Sequence, residues 1–208
     1  MIGKYKCIIV ANGLFPSRSE ILDLLRDTEF VIACDGAVVN LESYREPDAI
    51  VGDLDSLSEG IRQRYADRIL HITEQETNDL TKAVYYAKEK GFSELLILGA
   101  TGLREDHTLG NISLLLEYIS DFEQVEILSD FGRFTPLTQT ATLNSFPGQQ
   151  ISIFSLYPYG AISVRGLRYP IENRRLYSWW EATLNEAVGN EFTVILNEEA
   201  RILVYRQL

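Results

Sequence analysis

Apolar and polar positions follow two different rhythms along this chain. Up to about Leu128, short apolar runs alternate with stretches of helical spacing. Residues 6–11, 30–34, 49–51, 69–72, 95–98 and 124–128 are compact apolar runs, which predicts strands. Residues 18–26, 58–65, 78–90 and 107–119 predict helices. In the first of these, Ile21, Leu22, Leu24 and Leu25 make the apolar stripe, and Ser17 or Ser19 supplies the cap. The helix over 78–90 has Thr77 or Asn78 as its cap and ends before Gly91. Strand and helix alternate as βα units do on a parallel sheet, so a mostly parallel, Rossmann-like α/β domain is expected.

The rhythm changes after about residue 130. Short β-type runs at 150–156, 161–164, 192–196 and 201–205 are separated by turn signals such as Phe146-Pro147-Gly148, Tyr157-Pro158-Tyr159-Gly160 and Asn197-Glu198-Glu199. No long helical period is evident. The expected architecture is α/β plus all-β: an α/β domain over 1–132, then a small β-sandwich domain over 133–208, with the boundary between 130 and 139.

Composition narrows the class of function. The 208 residues are 46% hydrophobic and 24% charged, ordinary for a packed protein rather than a disordered one. The net charge of −11 argues against a nucleic-acid or anionic-membrane partner, which would require excess Lys and Arg. A phosphate ligand stays possible, because a local Arg, a bound Mg²⁺ and backbone amides can receive one. Cys7 and Cys34 sit in strand-like runs and read as small buried hydrophobes, not as a disulfide. The N-terminus lacks a signal-peptide layout, and no stretch approaches the ~20 apolar residues of a membrane span. A cytoplasmic location is expected.

Ligands of parallel α/β sheets bind at the carboxyl ends of the strands. Here those ends carry acids four times in a row: Asp35-Gly36, Gly52-Asp53-Leu54-Asp55-Ser56, Gln75-Glu76-Thr77-Asn78-Asp79, and the segment from Gly99 to His107. Asp53 and Asp55, one residue apart on a tight turn, can face a single point, and Mg²⁺ favours hard oxygen ligands of this kind. Gly52 permits close approach. Asp79 opens a helix, where an acid is stabilised by the helix dipole; with Asp53 and Asp55 it makes a plausible third metal ligand. Lys82, one turn on, either reaches a phosphate or is a solvated helix residue. In the last segment, small residues at a strand end expose N–H groups to an anion, and Arg104 offers a planar fork for phosphate oxygens. Neither a P-loop nor a dinucleotide GxGxxG occurs.

Taken in order, Cys34-Asp35-Gly36, Gly52-Asp53-Leu54-Asp55-Ser56, Gln75 through Ala83, and Gly102 through Asn111 resemble the signature of thiamine pyrophosphokinases. Gly166-Leu167-Arg168-Tyr169 and Gly189-Asn190-Glu191-Phe192 resemble that family's C-terminal motifs. The resemblance implies a homodimer with active sites at the subunit interface, and transfer of the pyrophosphoryl group of ATP to the hydroxyl of thiamine, giving thiamine diphosphate and AMP. It implies Asp53, Asp55 and Asp79 as Mg²⁺ ligands, joined in catalysis by Arg104. The nucleotide set expected is Asp35, Thr77, Lys82, Arg104, Asp106 and Asn111. Gln75, Tyr169 and Asn190 are expected on thiamine.

The chain departs from the family pattern at Ala37, Leu54, Leu103 and Gly189, where the resemblance leads one to expect Gly, Phe, Gly and Ser. Trp179-Trp180 lies outside the shared pattern and reads as core or dimer packing rather than ligand stacking. Two other functions stay open at this point. One is a pyrophosphokinase acting on another alcohol, such as a hydroxymethylpterin; the other is a non-catalytic nucleotide or thiamine sensor. A DxD glycosyltransferase is disfavoured, since nothing else suggests a nucleotide-sugar site.

Overall fold

The computed structural model describes residues 5–208. The chain divides into two compact units. The first runs to Ile112 and takes in Asp121–Asp130; the second comprises Ser113–Ser120 and Phe131–Leu208.

In the first unit the strands are β1 Cys7–Val10, β2 Phe30–Cys34, β3 Ala49–Gly52, β4 Ile69–His71, β5 Glu94–Leu98 and β6 Gln124–Leu128. Every pairing among them is parallel, in the order β6-β5-β1-β2-β3-β4. The chain therefore winds outward from β1 to β4, then crosses back to lay β5 against the other side of β1. That reversal makes the carboxyl ends of β1 and β5 a topological switch point, where such sheets open a crevice. β1 and β3 are buried throughout, and β2, β5 and β6 at all but their first residue. This is why they read as apolar runs without alternation. The helices are α1 Ser19–Asp27, α2 Val38–Leu41, α3 Glu59–Arg64, α4 Asp79–Glu89 and α5 Glu105–Tyr118. A 3₁₀ turn, Asp35–Ala37, leads from β2 into α2.

The caps follow local chemistry, with one exception. Asn78 caps α4 and Ser58 caps α3, each accepting a backbone N–H from three residues on. Neither Ser17 nor Ser19 caps α1, whose N-cap is Arg18. Instead the Asp130 carboxylate receives the N–H groups of Ser17 and Arg18 and the Ser17 hydroxyl. An acceptor 113 residues away in sequence has replaced the local one.

In the second unit, β7 Gly132–Leu137, β9 Gln150–Ser155, β12 Asn185–Glu186 and β14 Ile202–Gln207 pair antiparallel in the order β12-β9-β14-β7. A further antiparallel sheet, β11-β10-β13-β8, comprises Ile171–Arg174, Ile162–Arg165, Glu191–Leu196 and Ala141–Asn144. One core serves both sheets: Leu137, Ile151, Ile153, Ile202 and Val204 from the first meet Ile162, Val164, Phe192 and Val194 from the second. Two sheets sharing one core make the sandwich that the turn spacing predicts. The strands that the pattern does not predict are β7, β8, β11 and β12. β8, β11 and β12 lie at sheet edges, and polar faces and short lengths erase their signal. β7 carries Pro136, which reads as a break rather than a strand.

Candidate functional site

Three carboxylates from three chain segments converge beyond the carboxyl ends of β2 and β3. Asp35, Asp53 and Asp79 each offer an oxygen within 4.8 Å of the other two. Each is placed by a different device. Asp35 directly follows β2 and holds a left-handed backbone, φ +39°. Asp53 follows Gly52, the last residue of β3. Asp79 is the first residue of α4, fixed there by the Asn78 cap. Gly52 is the keystone between them. A Cβ there would lie 3.0 Å from the Asp35 Cβ and 3.3 Å from an Asp79 oxygen, so any side chain would press the acids apart.

The three carboxylates could hold a cation. Asp35 is only 5% exposed, and its Oδ2 accepts the Ser56 N–H at 3.2 Å. Its Oδ1 is buried and has no hydrogen-bond partner among the described residues. Buried polar atoms are nearly always paired, and a cation held by the three carboxylates would satisfy this one. Lys82 is buried too, and its Nζ lies 3.1 Å from Asp79 Oδ1. Three carboxylates against one ammonium leave two negative charges. An all-oxygen donor set with excess negative charge suits Mg²⁺.

The electrostatics differ among the acids. Loss of solvent raises the Asp79 carboxyl above its ordinary range, Lys82 opposes the rise, and Asp53 and Asp35 add to it. Asp53 is held below the usual range, first by the Asp55 N–H and next by the Gln75 side-chain amide, which donates to its Oδ2 at 3.3 Å.

Asp55 is not a member of this group. An extended chain would turn residues 53 and 55 to one side, but Leu54 between them takes a left-handed φ of +69°. The turn folds back so that the Asp55 backbone N–H meets Asp53 Oδ1 at 3.2 Å, while the Asp55 side chain stays exposed. Lys82 is not a solvated helix residue either, being 3% exposed. The spacing hid Asp35 as a partner of Asp53 and Asp79, although its position just past a buried strand was a usable signal.

The switch-point loops are tightly joined. Gly13 N–H donates to Gly99 O at 2.7 Å, and Leu14 N–H donates to Thr101 O at 2.9 Å. A Cβ on Gly13 would stand 2.4 Å from Gly99 O, so only glycine fits. Beyond this junction Gly102 and Leu103 are both left-handed, with φ +78° and +64°. They deliver Arg104, an exposed guanidinium that grips Asp106 through Nε at 3.1 Å and Nη2 at 2.5 Å. That grip, and the His107 N–H, lower the Asp106 carboxyl to about 2. Thr77 is turned toward Glu74, which accepts its N–H and its hydroxyl. Asn111 is buried, and both ends of its amide are hydrogen-bonded within the first unit.

In the second unit, Tyr169 follows the left-handed Gly166 and shows its ring to solvent. Its backbone is clamped by buried Asn185, which accepts the Tyr169 N–H at 3.0 Å and donates to the Tyr169 carbonyl at 2.7 Å. Sequence reasoning passed over Asn185. The Asn190 side chain is exposed, and its carbonyl accepts the Ser145 N–H. Gly189 has open space where a Cβ would stand, so nothing steric demands glycine there. Trp180 is 75% exposed and is not core; Trp179 meets Phe154 edge-on. Cys7 and Cys34 are free and buried, and burial pushes the Cys7 thiol up to about 12.

Comparison with known proteins places these features in a family. A family model described as the thiamin pyrophosphokinase catalytic domain matches residues 21–128. A second, the thiamin pyrophosphokinase substrate-binding domain, matches residues 132–205. Thiamin pyrophosphokinase 1 of Caenorhabditis elegans is 29% identical over 116 residues, 51% of this chain and 47% of that protein. Thiamine pyrophosphokinase 1 of rice, Oryza sativa subsp. japonica, is 29% identical over 174 residues, 76% of this chain and 65% of that protein. In both, the match spans less than two thirds of the relative's length. The crystal structure of thiamine pyrophosphokinase from Bacillus subtilis shares the fold, with a TM-score of 0.81 at 24% identity, covering 97% of this chain and 98% of that one.

Proposed function

Because this chain belongs to the thiamin pyrophosphokinase family, we propose that it transfers the pyrophosphoryl group of ATP to the hydroxyl of thiamine in a Mg²⁺-dependent reaction. The observation that carries the reading is the convergence of Asp35, Asp53 and Asp79 around the unpartnered Asp35 Oδ1. These three carboxylates would hold the metal, which when bound supplies charge neutralisation at the phosphate oxygens. Gln75 steadies Asp53, and Lys82 steadies Asp79.

The thiamine hydroxyl oxygen attacks the β-phosphorus. A new P–O bond forms, the bond from that phosphorus to the α,β-bridging oxygen breaks, and AMP leaves. Such a transfer calls for positioning and charge compensation more than covalent help. Arg104 exchanges Asp106 for the transferred group and offsets its charge, with Thr77 and Lys82 on the nucleotide side. Asp55 takes the hydroxyl proton. Its carboxylate stands outside the metal group and is exposed, whereas Asp79 is committed to Lys82. The β-sandwich over 133–208 receives thiamine, and Tyr169 lays its exposed ring on the cationic thiazolium or the pyrimidine, next to Asn190. The 1–132 domain binds nucleotide and metal. We further propose a cytoplasmic homodimer with its active sites at the subunit interface. No helix among the described residues is long and apolar enough to cross a membrane.

The deciding assay follows AMP release from ATP and Mg²⁺ while the alcohol is varied. AMP that appears only with thiamine supports the reading. AMP with a hydroxymethylpterin and none with thiamine moves the chain to another alcohol. Thiamine binding without AMP under any condition makes it a sensor.

A further inference from the structure

Asn78 and Asn111 form a tie that ligand binding does not explain. Asn111 lies on the second turn of α5 and is buried. Its Oδ1 accepts Asn78 Nδ2 at 3.2 Å, and its own Nδ2 donates to the Ala100 carbonyl at 2.9 Å. The orientation of the amide is settled by these partners: reversed, it would set oxygen against the Ala100 oxygen and NH₂ against the Asn78 NH₂. Asn78 is occupied on its other side, where Oδ1 accepts the Thr81 N–H and hydroxyl, both at 2.9 Å. Ala100 begins the loop that carries Arg104, and Asn78 immediately precedes Asp79. Two side chains thus join the start of α4, which carries Asp79 of the acid group, to the loop that carries Arg104.

We infer that Asn111 is a positioning residue rather than a nucleotide ligand, acting through Asn78 to hold Asp79 in register with the loop from Ala100 to Arg104. The inference rests on the metal-binding reading above. Each end of the Asn111 amide makes one hydrogen bond within the protein, and burial gives its remaining N–H and lone pair little access to a ligand. The same bonds give the tie its leverage, because a shift of Asn78 moves the helix start on which Asp79 sits.

The test uses three variants of the whole chain: Asn78→Ser, Asn111→Ala and the double variant. Serine keeps an oxygen that caps α4 while losing the amide that reaches Asn111. Mn²⁺ binding is followed by electron paramagnetic resonance, beside ATP and Mg²⁺ titrations of AMP release. Each single variant should weaken Mn²⁺ binding about tenfold, as loss of a residue that orients a metal ligand does. The double variant should lose no more than the weaker single, since both cut one tie. The KM for ATP should stay within about twofold. An ATP KM raised by Asn111→Ala alone overturns the inference. So do additive losses in the double variant, or a lowered melting temperature with unaltered Mn²⁺ affinity. Mn²⁺ binding requires no turnover, so a wild-type chain that takes Mn²⁺ but releases no AMP sinks the proposed reaction alone. A wild-type chain that takes no Mn²⁺ overturns the metal reading, and this inference falls with it.

Discussion

Asp53 and Asp55 are neighbours in sequence with separate surroundings, and the difference turns on one dihedral. The left-handed Leu54 sends the Asp55 N–H back onto Asp53 and keeps the Asp55 carboxylate outside the acid group. Asp53→Asn should therefore lose Mn²⁺ binding and at least ~100-fold in turnover. Asp55→Asn should keep Mn²⁺ binding and lose ~10²–10⁴-fold in rate. Metal loss in Asp55→Asn would sink this division of roles. Asp106 offers a second test. Its carboxyl lies at about 2, below its ordinary 3.8, because Arg104 and the His107 N–H favour the charged form. The stabilising contribution is thus present at neutral pH and disappears as pH falls from the ordinary carboxylate range through about 2. Both side chains are exposed, so salt screens the pair and the contribution is small. An NMR titration should find the Asp106 midpoint near 2, and Arg104→Ala should raise it. Acids at strand ends were legible in the sequence, because a polar residue straight after a buried run is visible to pattern reading. The burial of Lys82 and the choice of Asp35 over Asp55 were not, because both depend on backbone turns that no spacing records.

Of the two positions where the resemblance leads one to expect glycine, Leu103 carries backbone strain and Ala37, at φ −59°, does not. Leu103 holds φ +64° with an exposed side chain, at a position where the family pattern suggests glycine. A left-handed L-residue costs about 1–2 kcal/mol, so Leu103→Gly should raise stability by about 1 kcal/mol in urea melts, once the added chain entropy is set against it. A neutral or destabilising result would mean that Leu103 holds the loop through contacts of its own. The βα order of the first unit was readable, because strands buried on both faces are unbroken apolar runs. The edge strands β8, β11 and β12 were not, since an edge tolerates polar side chains on its open flank. The α1 cap was misread for another reason: Asp130 is brought there by the fold, and local rules see only Ser17 and Ser19.

For the molecule as a whole, family membership and the two-part architecture follow from the chain, while assembly is a proposal with its own test. Tyr177, Trp180, Leu184 and Val188 are all exposed along one stretch of the second unit. The proposed homodimer should sediment at twice the mass of the chain, and Trp180→Asp should shift it toward monomer if this stretch is the contact. A single sedimenting species at the mass of the chain would remove the dimer. The unpaired Asp35 oxygen bears on the entire fold. A buried acceptor without a partner costs about 1–3 kcal/mol, which the chain carries whenever the acid group is bare. A divalent ion that satisfies that oxygen binds the native state alone, so it should lift the melting temperature in step with the logarithm of its concentration. The gain is about 2.7 kcal/mol at a hundredfold excess over Kd, and chelator should erase it. Heat resistance in this protein would then track the magnesium supply of its surroundings, making the acid group a thermostat for the scaffold that holds it.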